Sequence, residues 1–272
     1  LVHRVTLAKQ AKKSFEKVFD KKVTMGLVGA GSYEYEKDYV FATVETLNRD
    51  AHLFQYQPDA FDCIILDEAH HSSNNIYTKV IDYFNPKLFL GMTATPDKRD
   101  DNQEGKNIYE IFHYQITHEI RLQQAMEDNL LCPFHYFGVS EVISLDDKTL
   151  QATKLTDDEF NQLTSDERVK HVIEQSEYYG YSGDRVRGLV FCSRVKECEE
   201  LSRKFNALGY RTIVLSGADS EEKRQKAFER LAMDEADTTE EMQPLDYIFS
   251  RDILNEGVDI VEVNQVITLR KT

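Results

Sequence analysis

Phe61-Asp62-Cys63-Ile64-Ile65-Leu66-Asp67-Glu68-Ala69-His70 is the stretch that decides the fold. A short apolar run that stops at two acids reads as a buried strand whose end carries a pair of carboxylates. In a parallel α/β sheet that end is the rim where ligands bind. One carboxylate there can hold Mg²⁺, and its neighbour can orient or activate a water that attacks a phosphate. The plainer alternative is an acidic helix N-terminus following a strand, which is also electrostatically sound.

One helix and one strand further on, Leu88-Phe89-Leu90-Gly91-Met92 leads into Thr93-Ala94-Thr95-Pro96. Two hydroxyls at the end of a neighbouring strand are placed to hydrogen-bond the acidic motif. More apolar runs follow at Leu189–Cys192, Thr212–Leu215, Tyr247–Phe249 and Gln265–Leu269. Amphipathic helical patterns cover Leu7–Phe19, Ile76–Phe84, Val195–Leu208 and Glu221–Met233. Strands alternating with helices predict α/β units on parallel sheets. Thr156-Asp157-Asp158-Glu159 has capping-box spacing, Asp219 stands before Glu222 in the same way, and Gly209 follows a helix as a C-terminal stop. A helix over Ile120–Leu131 and a β-rich segment from Cys132-Pro133 through Tyr136 to Ile143 place the domain boundary near Asp128. The acidic stretch Asp234 to Pro244 reads as a surface loop.

Bulk properties narrow the function. The net charge of −15 removes the usual basic footprint of a protein that coats nucleic acid, yet leaves room for one that grips a few phosphates through backbone amides and hydroxyls. The four cysteines form no C-x-x-C pair, which disfavours structural zinc; Cys63 and Cys192 in apolar runs read as reduced core thiols, fitting a reducing cytoplasm. No run of 18 apolar residues is present, so no membrane span is expected.

The order Val2-His3-Arg4 (with Leu7, Ala8 and Gln10), Gly29-Ala30-Gly31, Thr43-Val44-Glu45-Thr46-Leu47, Asp67-Glu68-Ala69-His70 and Thr93-Ala94-Thr95-Pro96 resembles the first RecA-like lobe of superfamily 2 helicases. Leu189-Val190-Phe191-Cys192-Ser193-Arg194, Leu215-Ser216-Gly217 and Asp252-Ile253-Leu254-Asn255-Glu256-Gly257-Val258-Asp259-Ile260 resemble motifs of the second lobe. Ile108-Tyr109-Glu110 through Pro133-Phe134 looks most like bacterial helicases related to type III restriction subunits.

The resemblance implies an α/β protein of two RecA-like lobes, parallel sheets flanked by helices, over residues 1–128 and 129–272. It implies ATP and Mg²⁺ as cofactors and nucleic acid as partner, DNA favoured over RNA. It assigns Asp67 and Glu68 to the metal and the catalytic water, with His70 beside them, and Thr93 and Thr95 to coupling between lobes. Gly257 and Asp259 fall to the nucleotide side. His3, Arg4, Gly29, Gly31, Thr43, Ser193, Arg194, Ser216 and Gly217 fall to the nucleic-acid strand. A Gly-x-Gly is more often simply a turn, and Thr43 suits any strand.

No G-x-x-x-x-G-K-[ST] and no Q-x-x-G-R-x-x-R occur in the 272 residues. The family places the first before Leu1 and the second after Thr272. The expectation is a first lobe with an open sheet edge or gap, continuous flanking domains, and no ATPase from this chain alone. Two other readings remain at this point, a non-catalytic nucleic-acid-binding module and an unrelated Mg²⁺-dependent α/β hydrolase.

Overall fold

The computed structural model describes residues 1–19, 23–72, 75–95, 108–140, 142, 155–240, 242–254 and 260–270. The chain divides into two compact units, Leu1–Pro133 and Phe134–Thr272.

In the first unit, β1 (Met25–Gly29) pairs in parallel with β3 (Tyr39–Ala42) and antiparallel with the two-residue β2 (Ser32–Tyr33). The acid-bearing run forms β4 (Cys63–Asp67), parallel to β5 (Leu88–Met92) with Asp67 opposite Met92. The backbone of Leu1 and Val2 lies between the two sheets. Val2 N–H donates to Ala42 O (3.1 Å) and Val44 N–H to Val2 O (3.0 Å), while Asp67 N–H donates to Leu1 O (2.9 Å). Further along the same slot no backbone joins β3 to β4 among the described residues; instead Val40, Ala42, Cys63, Ile64 and Ile65 line a pocket floored by Tyr56, Phe61 and Phe84. The gap expected in the first sheet is thus present.

Helix α1 (Val5–Val18) covers one face through Ala8, with Val2 and Leu27, and α4 (Asn75–Tyr83) covers the other. Tyr77, Val80 and Phe84 pack there with Val28, Ala42, Leu47, Ile64 and Leu66. Two single-turn helices, α2 (Val44–Leu47) and α3 (Asp50–Leu53), add Leu47 and Leu53 to that core.

The second unit holds an all-parallel sheet in the order β7-β8-β6-β9, with β6 Gly188–Phe191, β7 Thr212–Leu215, β8 Tyr247–Ser250 and β9 Gln265–Thr268. Side chains alternate across its strands. Val190, Tyr247 and Phe249 pack with Val169, Val172, Leu201 and Phe205, from α8 (Asp166–Tyr179) and α9 (Val195–Ala207). Leu189 and Ile248 point the other way, to Ala227 and Leu231 of α10 (Glu221–Ala232). Apolar runs covered on both faces are what a parallel sheet requires. Helix α7 (Asp157–Leu163) begins with the full capping box of Thr156 and Glu159.

Several expectations are corrected. Cys63 is exposed and Ile65 is 37% exposed, because they lie on the open face of β4 while Ile64 and Leu66 face the core. Residues 133–140 form no strand; Phe137 stacks on Tyr179 at 4.0 Å and Ser140 O meets His171 Nε2 at 3.0 Å. The helix expected over Ile120–Leu131 contracts to α6 (Leu122–Glu127), following the short α5 (Ile108–Ile111). The cap of α10 is Ser220 rather than Asp219. Helix α8, capped by Ser165, was legible from Val169, Val172, Ile173 and Ser176 at helical spacing but was not among the expected helices.

Candidate functional site

Asp67 is the last residue of β4, half-buried, its Oδ1 accepting from Glu68 N–H at 3.1 Å. Glu68 takes the left-handed conformation, φ 51° and ψ 49°, and opens a single 3-10 turn, Ala69–His71. A residue with a Cβ in that region costs ~1–3 kcal/mol and persists where its surroundings hold it, a pattern that concentrates at functional sites. Here the turn is held from two sides: His71 N–H donates to Glu68 O (3.0 Å), and Ala69 and His70 are buried.

His70 Nδ1 lies 3.0 Å from Thr93 Oγ1, 3.3 Å from Thr95 Oγ1 and 3.3 Å from Glu68 Oε2. Thr93 Oγ1 in turn accepts from Thr95 N–H at 3.0 Å. The acidic motif at the end of β4 and the hydroxyls at the end of β5 are therefore one hydrogen-bonded cluster, held in register by the β4–β5 ladder. Pro96 lies outside the described residues.

His3 follows the Leu1–Val2 backbone at the same rim, half-buried, its ring 5.7 Å from that of His71. Arg4, half-buried, is the N-cap residue of α1. Gly29-Ala30-Gly31 is the tight turn between β1 and β2, with φ of 145°, 51° and 81°. A Cβ on Gly29 would stand 3.3 Å from the hydroxyls of both Thr43 and Thr46, so the glycine packs directly on that pair. Thr43 is buried; its hydroxyl caps α2 and meets Thr46 Oγ1 at 2.7 Å. Gly29 and Thr43 thus come together, while the Thr43 side chain is committed to its own helix.

In the second unit the residues singled out from sequence lie on loops leaving the C-terminal ends of the strands. Ser193 and Arg194 follow β6, and Ser193 N–H donates to Glu197 Oε2 at 2.9 Å. Ser216 and Gly217 follow β7, and the Arg224 Nη2 donates to both of their carbonyls at 3.2 and 3.0 Å. Arg270, after β9, donates to Arg251 O (2.6 Å) and Asp252 Oδ1 (2.9 Å) beyond β8. Gly257 and Asp259 lie outside the described residues.

Four further residues, three in the second unit and His71 in the first, carry no motif letter. Arg168 of α8 is buried and donates to Glu197 Oε1 (2.9 Å), Leu163 O (2.8 Å) and Leu269 O (3.3 Å). Burial lifts the Glu197 carboxyl above its ordinary range, against the pull of Arg168. Asp219 holds Ser216, and His71 joins His70 to His3. The only sequence signal for Arg168 and Glu197 is a charged residue at a core-facing helical position.

The donors at the β4 rim suit a hard cation. Mg²⁺ is typically held by one or two carboxylates together with water and substrate phosphates, and Asp67 with Glu68 supplies that number. Among the described residues no group of three or more His, Cys, Asp and Glu forms a complete protein cage for a metal.

Residues 1–98 match the family "Type III restriction enzyme, res subunit", and residues 167–272 match "Helicase conserved C-terminal domain". The chain is 24% identical over 288 residues to the Saccharomyces cerevisiae "Putative ATP-dependent helicase IRC3", covering all of this chain and 38% of that protein. It is 24% identical over 170 residues to the Escherichia coli "Type I restriction enzyme EcoAI endonuclease subunit", covering 55% of this chain and 20% of that protein. The chain therefore spans well under half the length of these relatives.

Among solved structures, Dbp5 of S. cerevisiae bound to RNA and ADP BeF3 superposes with a TM-score of 0.52 at 14% identity, over 98% of this chain and 61% of that one. The helicase domain of Pyrococcus furiosus Hef gives 0.50 at 14%, over 98% and 79%. Both likenesses are of fold. This chain is a superfamily 2 helicase-like core, related to restriction and helicase proteins.

Proposed function

We propose that the chain is the central part of an ATP-dependent nucleic-acid helicase or translocase, with Asp67 holding Mg²⁺ and Glu68 orienting the attacking water. The observation that carries this reading is the cluster at the β4 rim, where a left-handed Glu68 stands beside a buried histidine bonded to both hydroxyls of the neighbouring strand end. Bound ATP with its metal supplies the phosphoryl group whose transfer drives the motor. This chain's own residues contribute the metal carboxylate, the water-orienting carboxylate, and through His70, Thr93 and Thr95 a polar link from the acids to the next strand. Gly257 and Asp259 are proposed for the nucleotide side of the second lobe.

Strand gripping falls to loops at the strand ends: His3-Arg4 and Gly29–Gly31 in the first unit, Ser193-Arg194 and Ser216-Gly217 in the second. Such contacts go mainly to phosphates, so base sequence matters little and affinity falls with salt. The likeness to a restriction enzyme subunit favours DNA as the polymer. Thr43 is proposed as a support for the Gly29 turn, since its hydroxyl is already engaged.

The 272 residues contain no phosphate-cradling G-x-x-x-x-G-K-[ST] loop and no arginine motif, so the chain alone is expected to show no ATP turnover with or without DNA. A malachite-green phosphate assay on the purified chain tests this. Robust turnover abolished by Glu68→Gln contradicts it. A fluorescence titration with a labelled single-stranded oligodeoxynucleotide, against the same sequence as RNA, tests the choice of polymer; tighter binding of the RNA overturns it.

A further inference from the structure

Adjacent residues of a 3-10 turn point about 120° apart, because the turn holds three residues. Ala69–His71 is such a turn, and it follows Glu68 directly. His70 reaches Thr93, Thr95 and Glu68 on one side. His71 meets His3, with ring centroids 5.7 Å apart. The two rings of the turn touch each other at 4.1 Å. The turn itself is short, opened by a left-handed residue and tied back to it by the His71 N–H. One ring of this short, tied turn therefore meets the Glu68–Thr93 cluster and the other meets His3.

What lies at the far end gives the arrangement its use. His3 continues the Leu1–Val2 backbone, which is bonded both to β4 through Asp67 N–H and to the α2 end through Val44 N–H. The next residue, Arg4, is the N-cap of α1. The His71 ring on His3 therefore adjoins the start of α1 and its N-cap residue Arg4. The path Glu68/His70, His71, His3, Arg4 runs wholly within the first unit. It joins the acid pair to the loop proposed to grip the strand.

We propose that His71 is a positioning residue that couples the state of the Glu68–His70–Thr93 cluster to the placement of His3 and Arg4. This rests on the motor reading for its purpose, since coupling matters where nucleotide chemistry and strand grip must alternate. The coupling itself is a physical property of the chain and needs neither ligand to be observed. A tertiary path of this kind is established by showing that a disturbance at one end is felt at the other and is lost when the middle is removed.

The experiment uses the 272-residue chain with ¹³C,¹⁵N-labelled histidine and no nucleotide or nucleic acid. Thr93→Val removes the hydroxyl that meets His70 and leaves the His3 side chain itself unaltered. In the otherwise unchanged chain it is expected to shift the His3 ring signals. With His71→Ala in addition, that shift is expected to be lost, and with His71→Phe, which keeps a ring between His70 and His3, it is expected to return. Where His71→Ala does not yield a folded chain by circular dichroism, His71→Asn takes its place. His3 signals that ignore Thr93→Val, or that respond equally with and without the His71 ring, overturn the proposal. Because no ATP or DNA is present, a negative result leaves the motor reading standing, and failure of the motor reading in a binding assay leaves this measurement unaffected.

Discussion

Asp219 shows how a single side chain holds a functional loop. It accepts from Ser216 N–H at 2.7 Å and from the Ser216 hydroxyl at 3.0 Å, and it pairs with Lys223. The Lys223 ammonium first, and then the Ser216 donors, hold its carboxyl below the usual range. A carboxylate whose folded value is depressed stabilises the fold above its unfolded value and loses that contribution as the pH falls through the folded one. The order of the Ser216–Gly217 loop is therefore expected to be constant from neutral pH to the ordinary carboxylate range and to decline below it. Amide exchange at Ser216 across that titration checks this; Asp219→Asn is expected to remove the acid dependence, and a variant that keeps it contradicts the assignment. The acid pair and its threonine partners were legible at this scale because an apolar run ending in charge is a local pattern. Arg168, Glu197 and His71 were not, because their meaning comes from elements far apart in the chain.

Close packing between elements makes its own demands. A Cβ on Gly188 of β6 would meet the Tyr247 ring at 2.3 Å, and one on Gly91 of β5 would meet Phe112 at 2.4 Å. Overpacking of this kind costs ~1–3 kcal/mol, so Gly188→Ala is expected to lower the urea midpoint of the second unit without changing the slope. An unchanged midpoint would show that Tyr247 has room to move. The buried Arg168–Glu197 pair ties α8 to α9 and to the end of β9. Glu197→Ala leaves a buried guanidinium uncompensated and is expected to cost ~3–5 kcal/mol, part of which Arg168→Met recovers in the double variant. Equal destabilisation by the single and double variants contradicts the pairing.

The two sheets also differ in protection. Backbone alternation sends the N–H groups of Cys63 and Ile65 away from β5 toward the slot. They are expected to exchange much faster than those of Val190 and Phe249, which sit inside a paired ladder. Equal protection would mean that the slot is closed in solution. Strands β4 to β9 were readable as apolar runs bounded by polar residues. Strands β1 to β3 were not read as such, since Gly26 and Gly29 interrupt the apolar pattern and Thr43 looks like part of a strand when it is a helix cap. Residues 134–140 have a strand-like composition and no strand, because Phe137 and Ser140 find partners on α8 instead.

At the scale of the whole molecule, two α/β units carry their sequence-marked loops at the C-terminal ends of parallel strands, and the net charge is −15. Among the described residues no helix is long and apolar enough to cross a membrane. A chain of this charge that binds nucleic acid must do so through a small number of local phosphate contacts, so its affinity is expected to be modest and its salt slope shallow. The family and the α/β class could be read from apolar runs that end in polar motifs, as Asp67-Glu68 ends β4 and Thr93 follows β5. The central claim concerns the acid pair, and ATP turnover by the full-length protein tests it most directly. With Mg²⁺ and DNA, the wild type is expected to hydrolyse ATP faster than without DNA, and Glu68→Gln is expected to lose that turnover while retaining DNA binding. Turnover that survives Glu68→Gln, or that needs no Mg²⁺, contradicts the claim.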